Sequence, residues 1–183
     1  TDSIIWIFRT TGTTSITNRI GWNATNSLYL LAGASGFLSV STDLITWTLR
    51  TSGITNTIYA ADFSGPIPFV CAQNNDNIRT STDTITWINR PCGSGGAAMY
   101  NALYTPSGGD TTYMVVTQGG FTRSGLFTST DAITWSLRNS TLITSDTTSI
   151  AVGNNEILIA ATSGQLSYSR VASSWLVNGT PSN

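Results

Sequence analysis

One seven-residue phrase, repeated along the chain, constrains this sequence more than any other feature. Ser41-Thr42-Asp43-Leu44-Ile45-Thr46-Trp47 returns as Ser81-Thr82-Asp83-Thr84-Ile85-Thr86-Trp87 and as Ser129-Thr130-Asp131-Ala132-Ile133-Thr134-Trp135. A worn copy, Ser169-Arg170-Val171-Ala172-Ser173-Ser174-Trp175, has Val171 in place of the Asp, and a partial copy opens the chain with Thr1, Asp2, Ile4 and Trp6. The tryptophans at 6, 47, 87, 135 and 175 are spaced by 41, 40, 48 and 40 residues. Three residues past the Trp an arginine recurs as Arg9, Arg50, Arg90 and Arg138. A fixed period of this size means a unit that buries its apolar surface by stacking on copies of itself.

The segments between the phrases repeat as well. Leu31, Cys71 and Ile159 share one column, Leu38, Ile78, Leu126 and Leu166 another, and Ile20, Ile58, Leu103 and Ile150 begin short apolar runs upstream. Each unit reads as four short strands, in the second unit at about 57–61, 67–73, 77–81 and 84–90. The signal is period-two alternation rich in β-branched and aromatic residues, broken by Gly, Asn, Asp and Pro. No window carries an apolar stripe of helical period, so almost no helix is expected. The third unit is longer, and its excess falls in Ser107-Gly108-Gly109-Asp110 and in 118–125, both turn-rich and read as elongated loops. The expected fold is all-β: a β-propeller-like array of four four-stranded blades with units near 10–50, 51–90, 91–138 and 139–178, plus an extra N-terminal outer strand at 2–9, as a single domain over 1–183.

At this point the residues carry a resemblance. Ser-Thr-Asp-x-Ile-Thr-Trp resembles the Asp-box of sialidase-type (BNR) repeats, although it is one residue shorter and lacks their Gly. It is more similar to the Asp-box-like repeats of bacteriophage tail and virion proteins. The resemblance implies propeller architecture over nearly the whole chain. It implies little about chemistry, because one architecture hosts many functions.

The phrase also has a local physical reading. The chain must reverse between the third and fourth strands of a unit, and an Asp side chain can accept backbone N–H bonds across such a turn, helped by Ser and Thr hydroxyls. Ser41, Asp43, Trp47, Ser81, Asp83, Trp87, Ser129, Asp131 and Trp135 are therefore read as structural turn residues, with Ile45, Ile85 and Ile133 on one face and each Trp packed between neighbouring units. Single carboxylates set one per turn around an array cannot together encircle a cation. The repeated Arg is expected to bond backbone carbonyls or a neighbouring Asp between units.

Composition removes much of the remaining chemistry. The chain of 183 residues holds 31 Thr, 23 Ser and 14 Asn, while only 9% of its residues are charged. All eight basic residues are Arg, and Glu156 is the single Glu beside eight Asp. Without His there is no Ser-His-Asp or Cys-His pair and no His-bound metal; without Lys there is no Schiff base or P-loop. A net charge of −1 supplies no field for nucleic acid or an anionic membrane. No apolar stretch is long enough to span a bilayer, and no leader-like segment opens the chain. No cofactor or metal is expected. Thr1 is not Met, so the chain reads as processed, truncated or part of something longer. Cys71 and Cys92 read as two unrelated small residues, with a single bridge as the alternative. The sequons at Asn23, Asn139 and Asn178 are no more than this composition gives by chance.

A sialidase needs three substrate-binding Arg, a Tyr–Glu pair and an acid. Four of the eight Arg occupy the repeat, no pattern pairs Glu156 with a Tyr, and four units fall short of a six-bladed ring. Sugar binding is weighed through aromatics outside the Trp column: Trp22, Tyr59, Tyr100, Tyr104, Tyr113 and Phe121. Most read as core, and Phe121, after Gly119-Gly120, is the one candidate ligand contact. The expected function is a non-catalytic structural or attachment module of a bacteriophage virion, in a tail fibre or other external appendage. Its expected partners are other virion or assembly subunits in an oligomer, with a glycan possible and neither nucleic acid nor membrane insertion. Its expected location is the virion surface or extracellular space. The alternatives are a carbohydrate-binding propeller of a secreted or cell-surface protein, and a fragment of a glycoside hydrolase.

The first segment poses one further question. Five Trp strands stand against four sets of three preceding strands, and a strand carrying Ile4, Ile5, Trp6, Ile7 and Phe8 is an adhesive edge that must pair. It is expected to complete a sheet in a neighbouring subunit or an upstream blade, rather than add to the C-terminal blade of its own chain.

Overall fold

Neighbouring residues of the apolar strands point to opposite faces of a sheet, and this period of two builds the core. In the second sheet, Phe69 and Cys71 face one neighbour while Val70 and Ala72 face the other. A sheet buried on both sides has no polar face, which is why its strand Phe69–Ala72 is an unbroken apolar run.

The computed structural model describes residues 5–72, 78–107, 110–118, 125–139, 147–153, 156–162 and 166–170. It is all-β, with four antiparallel sheets formed in chain order. The first is β1 (Thr17–Asn23), β2 (Leu28–Gly33), β3 (Leu38–Ser41) and β4 (Thr48–Leu49). The second is β5 (Ile58–Asp62), β6 (Phe69–Ala72), β7 (Ile78–Thr80) and β8 (Ile88–Asn89). The third is β9 (Met99–Ser107), β10 (Asp110–Thr117), β11 (Leu126–Ser129) and β12 (Ser136–Asn139). The fourth comprises β13 (Thr147–Gly153), β14 (Glu156–Ala161) and β15 (Leu166–Arg170) among the described residues. A 3-10 turn, Ala34–Gly36, follows β2.

Three apolar clusters lie between successive sheets. Leu30, Leu38, Val40, Ile58, Val70 and Trp87 fill the first interface. Phe69, Met99, Tyr113, Val115 and Phe127 fill the second, where the Phe69 and Tyr113 rings meet edge to face at 5.6 Å. Met114, Val116, Leu126, Ile150, Ile157 and Ile159 fill the third. The first strands β1, β5, β9 and β13 touch in succession. They also converge: Arg19 on β1 donates through Nη2 to the Tyr100 carbonyl on β9 at 3.2 Å, reaching past β5.

Polar side chains at the ends of first strands tie neighbouring sheets. Asn23, fully buried, donates through Nδ2 to the carbonyls of Phe63 at 2.8 Å and Gly65 at 2.7 Å. Asp62 accepts the Tyr104 N–H at 2.9 Å through Oδ2, while its Oδ1 holds Ser64. The bonds to Phe63, Gly65 and Tyr104 each give a backbone group a side-chain partner from a neighbouring unit.

Several expectations need correction. The fourth strand of the second unit is shorter than expected: it begins at Ile88, and 82–87 form the turn instead. Two turn hydrogen bonds to Asp83 hold Ile85 and Thr86 out of the ladder. The excess around 107–110 extends a hairpin rather than a loop, since β9 and β10 pair out to Ser107 opposite Asp110; residues 108 and 109 lie outside the described set. The other excess, of which 119–124 lie outside the described residues, is closed by the Thr117 N–H on the Gly125 carbonyl at 3.0 Å. The extra strand at 2–9 is absent as a strand over the described positions 5–9. The first sheet already owns β4 as its outer strand, so Trp6 and Phe8 stand 90% and 89% exposed. Cys71 and Cys92, both buried, form no disulfide, and burial raises the Cys71 pKa well above its ordinary value.

Candidate functional site

The three intact phrases fold into the same turn. Asp43 Oδ1 accepts the N–H groups of Ile45 and Thr46, each at 2.8 Å, and the Ser41 hydroxyl at 3.0 Å. Asp83 repeats this with Ile85 and Thr86 at 2.8 Å and Ser81 at 2.9 Å. Asp131 repeats it with Ile133, Thr134 and Ser129, all at 2.8 Å. Ser41 also works in reverse, its Oγ accepting the Asp43 and Leu44 N–H groups at 3.2 and 2.9 Å. One oxygen thus collects three donors, the local competition with regular structure that Asp and Ser side chains offer.

The turn demands a left-handed residue after the Asp. Leu44, Thr84 and Ala132 sit at φ of 60°, 60° and 57°. Side chains with a Cβ reach this region only at a cost, so the turn stores strain that its hydrogen bonds offset.

Three donors on one oxygen stabilise the carboxylate form. Hydrogen bonds from the Thr86 and Ile85 N–H groups and from Ser81 lower the Asp83 pKa to about 2. The equivalent bonds, led by Thr46 and by Thr134, lower Asp43 and Asp131 as well. A carboxylate held in this way is a poor general acid or base near neutral pH.

The remaining motif positions divide by burial. Ile45, Ile85 and Ile133 are exposed on the turn rather than packed on a sheet face. Trp87 is buried in the interface between the first and second sheets, with Nε1 donating to the Thr84 carbonyl at 3.4 Å. Trp135 is half-buried between the second and third sheets, 5.8 Å from the Phe69 ring. Trp87 and Trp135 thus pack toward the preceding sheet, while Trp47, on the first sheet, is half-buried. The repeated Arg departs from expectation, since Arg138 donates through Nε to Thr128 Oγ1 at 2.6 Å inside its own sheet. Arg50 and Arg90 instead bond through the backbone, their N–H groups donating to the Leu38 and Ile78 carbonyls of their own sheets at 2.9 and 2.7 Å.

Phe121, the candidate ligand contact, lies outside the described residues, as do Val171 and Trp175. Tyr113 is buried, and its hydroxyl accepts the Ile67 N–H at 3.3 Å. Among the described residues, His, Cys, Asp and Glu form no group of three placed to hold a metal ion. Sequence reasoning missed Asn23 and Asp62 as ties between sheets. Their only signal was a polar residue at the end of a first strand, with Asp62 39 positions after Asn23 and so near the repeat period.

No family and no curated protein matches the sequence. Among solved structures, the chain is similar to the computationally designed Ika4 protein, with a TM-score of 0.67 at 14% identity over 91% of this chain and 99% of that one. A weaker likeness, TM-score 0.38 at 11% identity over 89% of this chain and 73% of that one, is to the designed Ika8 protein. What the chain shares with Ika4 is its fold.

Proposed function

We propose that this chain is a propeller-type array of four blades, working as a non-catalytic structural and attachment module of a bacteriophage virion, in a tail fibre or other external appendage. The observation that carries the reading is the use of the repeated carboxylates. Asp43, Asp83 and Asp131 each spend one oxygen on three donors of their own turn, so the repeated polar set maintains architecture. A sequence selected for chemistry would keep such groups directed at a ligand. The similarity of the phrase to virion Asp-box repeats and the Thr- and Asn-rich composition support the same reading. A glycan array and a fluorogenic glycoside panel test it. The expected result is no turnover and no saturable glycan binding by the isolated module, with the protein incorporated into purified particles. Turnover of any glycoside, or micromolar binding to one glycan class, would replace it with the hydrolase or lectin reading.

A further inference from the structure

The first strand of every sheet carries a β-bulge, and the bulges lie at the same point of the repeat. On β1, Thr17 faces Gly33 and Arg19 faces Ala32, so Asn18 stands opposite no residue of β2. Tyr59 on β5, Tyr100 on β9 and Thr148 on β13 are passed over in the same way. A bulge breaks the alternation of a strand and re-aims a side chain. On β1 it sends consecutive residues to one side. Arg19 shares the face of Ala32, which packs in the first interface, and Asn18 leans the same way, its Nδ2 donating to the Ile58 carbonyl on β5 at 3.0 Å. The bulge is kept while its residue changes from Asn to Tyr to Thr, so the backbone does not dictate these side chains.

Because the first strands touch in succession, the bulges near their starts lie at one level of the array. There the Tyr59 and Tyr100 rings are 6.4 Å apart, tilted by 50°. A cation stands beside them. Arg19 donates through Nη1 to the Asn18 carbonyl at 3.0 Å and through Nη2 to the Tyr100 carbonyl at 3.2 Å. A guanidinium has five N–H donors, so these two bonds orient it and leave others for a ligand. Carbonyls also leave its charge whole, and among the described residues no carboxylate pairs with it. Asn18, Arg19, Tyr59 and Tyr100 are each half-buried, which withdraws the group partly from water while keeping it reachable.

We propose that this bulge level is a docking site for an acidic segment of a partner protein, with one carboxylate held by Arg19 and a neighbouring apolar side chain set against Tyr59 and Tyr100. A carboxylate matches the guanidinium fork in shape and in charge. A phosphate monoester brings close to two negative charges against this one cation, so it fits less well. Tyrosine rings supply rigid contact area at low entropic cost. The proposal rests on the reading of the chain as an assembly module and names the chemistry of its partner.

The probes are the blocked peptides acetyl-Leu-Glu-Leu-amide and acetyl-Leu-Gln-Leu-amide, titrated into isotope-labelled protein and followed by NMR. Saturable shifts are expected at the Arg19 side chain and at the amides around Asn18, Tyr59 and Tyr100. Affinity for the Gln peptide is expected to be lower by at least about tenfold. Arg19→Gln is expected to erase that difference, Arg19→Lys to retain part of it, and Tyr59→Ala to weaken both peptides. Equal affinity for the two peptides, or shifts elsewhere on the protein, overturns the proposal. That comparison uses the unmodified chain, so it decides even if Arg19→Gln does not fold. Glucuronic acid and inorganic phosphate are the competing anions, and binding of either in place of the Glu peptide also overturns it. If no probe binds while the protein is found in purified particles, this proposal falls and the module reading stands. If the protein is absent from particles yet the Glu peptide binds at Arg19, the module reading falls and the acidic docking site stands.

Discussion

Asn23 Nδ2 donates to the carbonyl of Phe63 at 2.8 Å, forty residues along the chain and on the neighbouring sheet. The same amide reaches Gly65, and its Oδ1 accepts the Asn26 N–H at 2.9 Å, so a fully buried side chain uses both its donors and its acceptor. Replacing it by Ala leaves two buried carbonyls unpaired, and the expected loss is about 2–3 kcal/mol. Asn23→Asp is expected to be destabilising too, because a carboxylate offers acceptors to carbonyls that require donors. Urea unfolding measures both, and a loss below 0.5 kcal/mol for Asn23→Ala would contradict the role given to this side chain. The burial has a second consequence. A glycan on Asn23 Nδ2 would remove a donor and could not fit this buried site, so mass spectrometry of the folded fraction after expression in a glycosylating host is expected to find the Asn23 sequon bare.

The turn and the tryptophan make unequal contributions. Asp83 is exposed, and removing it costs about 1 kcal/mol, as for the loss of a helix-capping side chain with equivalent bonds. Trp87 is buried between two sheets, and truncation to Ala costs about 3–5 kcal/mol through the cavity it leaves. Thermal melts of Asp83→Ala and Trp87→Ala are expected to rank in that order. The reverse ranking would remove Trp87 from the interface.

Acid should weaken the turns in a defined window. The folded pKa of Asp83, about 2, lies below that of an unfolded Asp, so the charged form adds stability above roughly pH 4. That contribution disappears as pH falls from about 4 toward 2, and Asp43 and Asp131 shift in the same direction. Melting temperature is expected to stay level from pH 8 to about 5 and to fall below it. Asp83→Asn, which cannot titrate, is expected to lose less on acidification. Identical acid slopes for the two proteins would show that this carboxylate is not linked to folding.

The left-handed position admits a stabilising change. Leu44 is strained at φ 60° and its side chain is exposed, so little packing is lost by removing it. Leu44→Gly is expected to stabilise by about 0.5–1 kcal/mol, the relief of the left-handed penalty less the chain entropy that Gly adds to the unfolded state. Thr84→Gly should gain less or nothing, because Thr84 is buried. A drop in melting temperature for Leu44→Gly would argue against strain at this turn.

A glycine marks the opposite case. Gly36 has φ 69°, and a Cβ there would collide with the Ile54 carbonyl, so Gly36→Ala is expected to cost more than about 2 kcal/mol. Circular dichroism melts check it. A neutral substitution would mean that the Ile54 segment can move aside.

What the sequence determined by itself is the repeat, and with it the division into four sheets. The period of two decides which side chains share a face, and alternate residues such as Phe69 and Val70 must then serve two different neighbours. Asp, Ser and a reversed chain direction within seven residues make a turn from local hydrogen bonds alone, so the Asp83 turn was legible without any long-range information. Tertiary structure decided the rest. That Ile85 is exposed and Trp87 buried follows from the turn's left-handed step, which rotates the following residues out of strand alternation. That Asn23 and Asp62 tie neighbouring sheets depends on carbonyls and an N–H about forty residues away, and local pattern carries no signal for such partners. The placement of residues 5–9 outside any strand belongs to the same class. Their sequence is that of an outer strand, but pairing needs an open sheet edge, and the adjoining sheet already holds four strands.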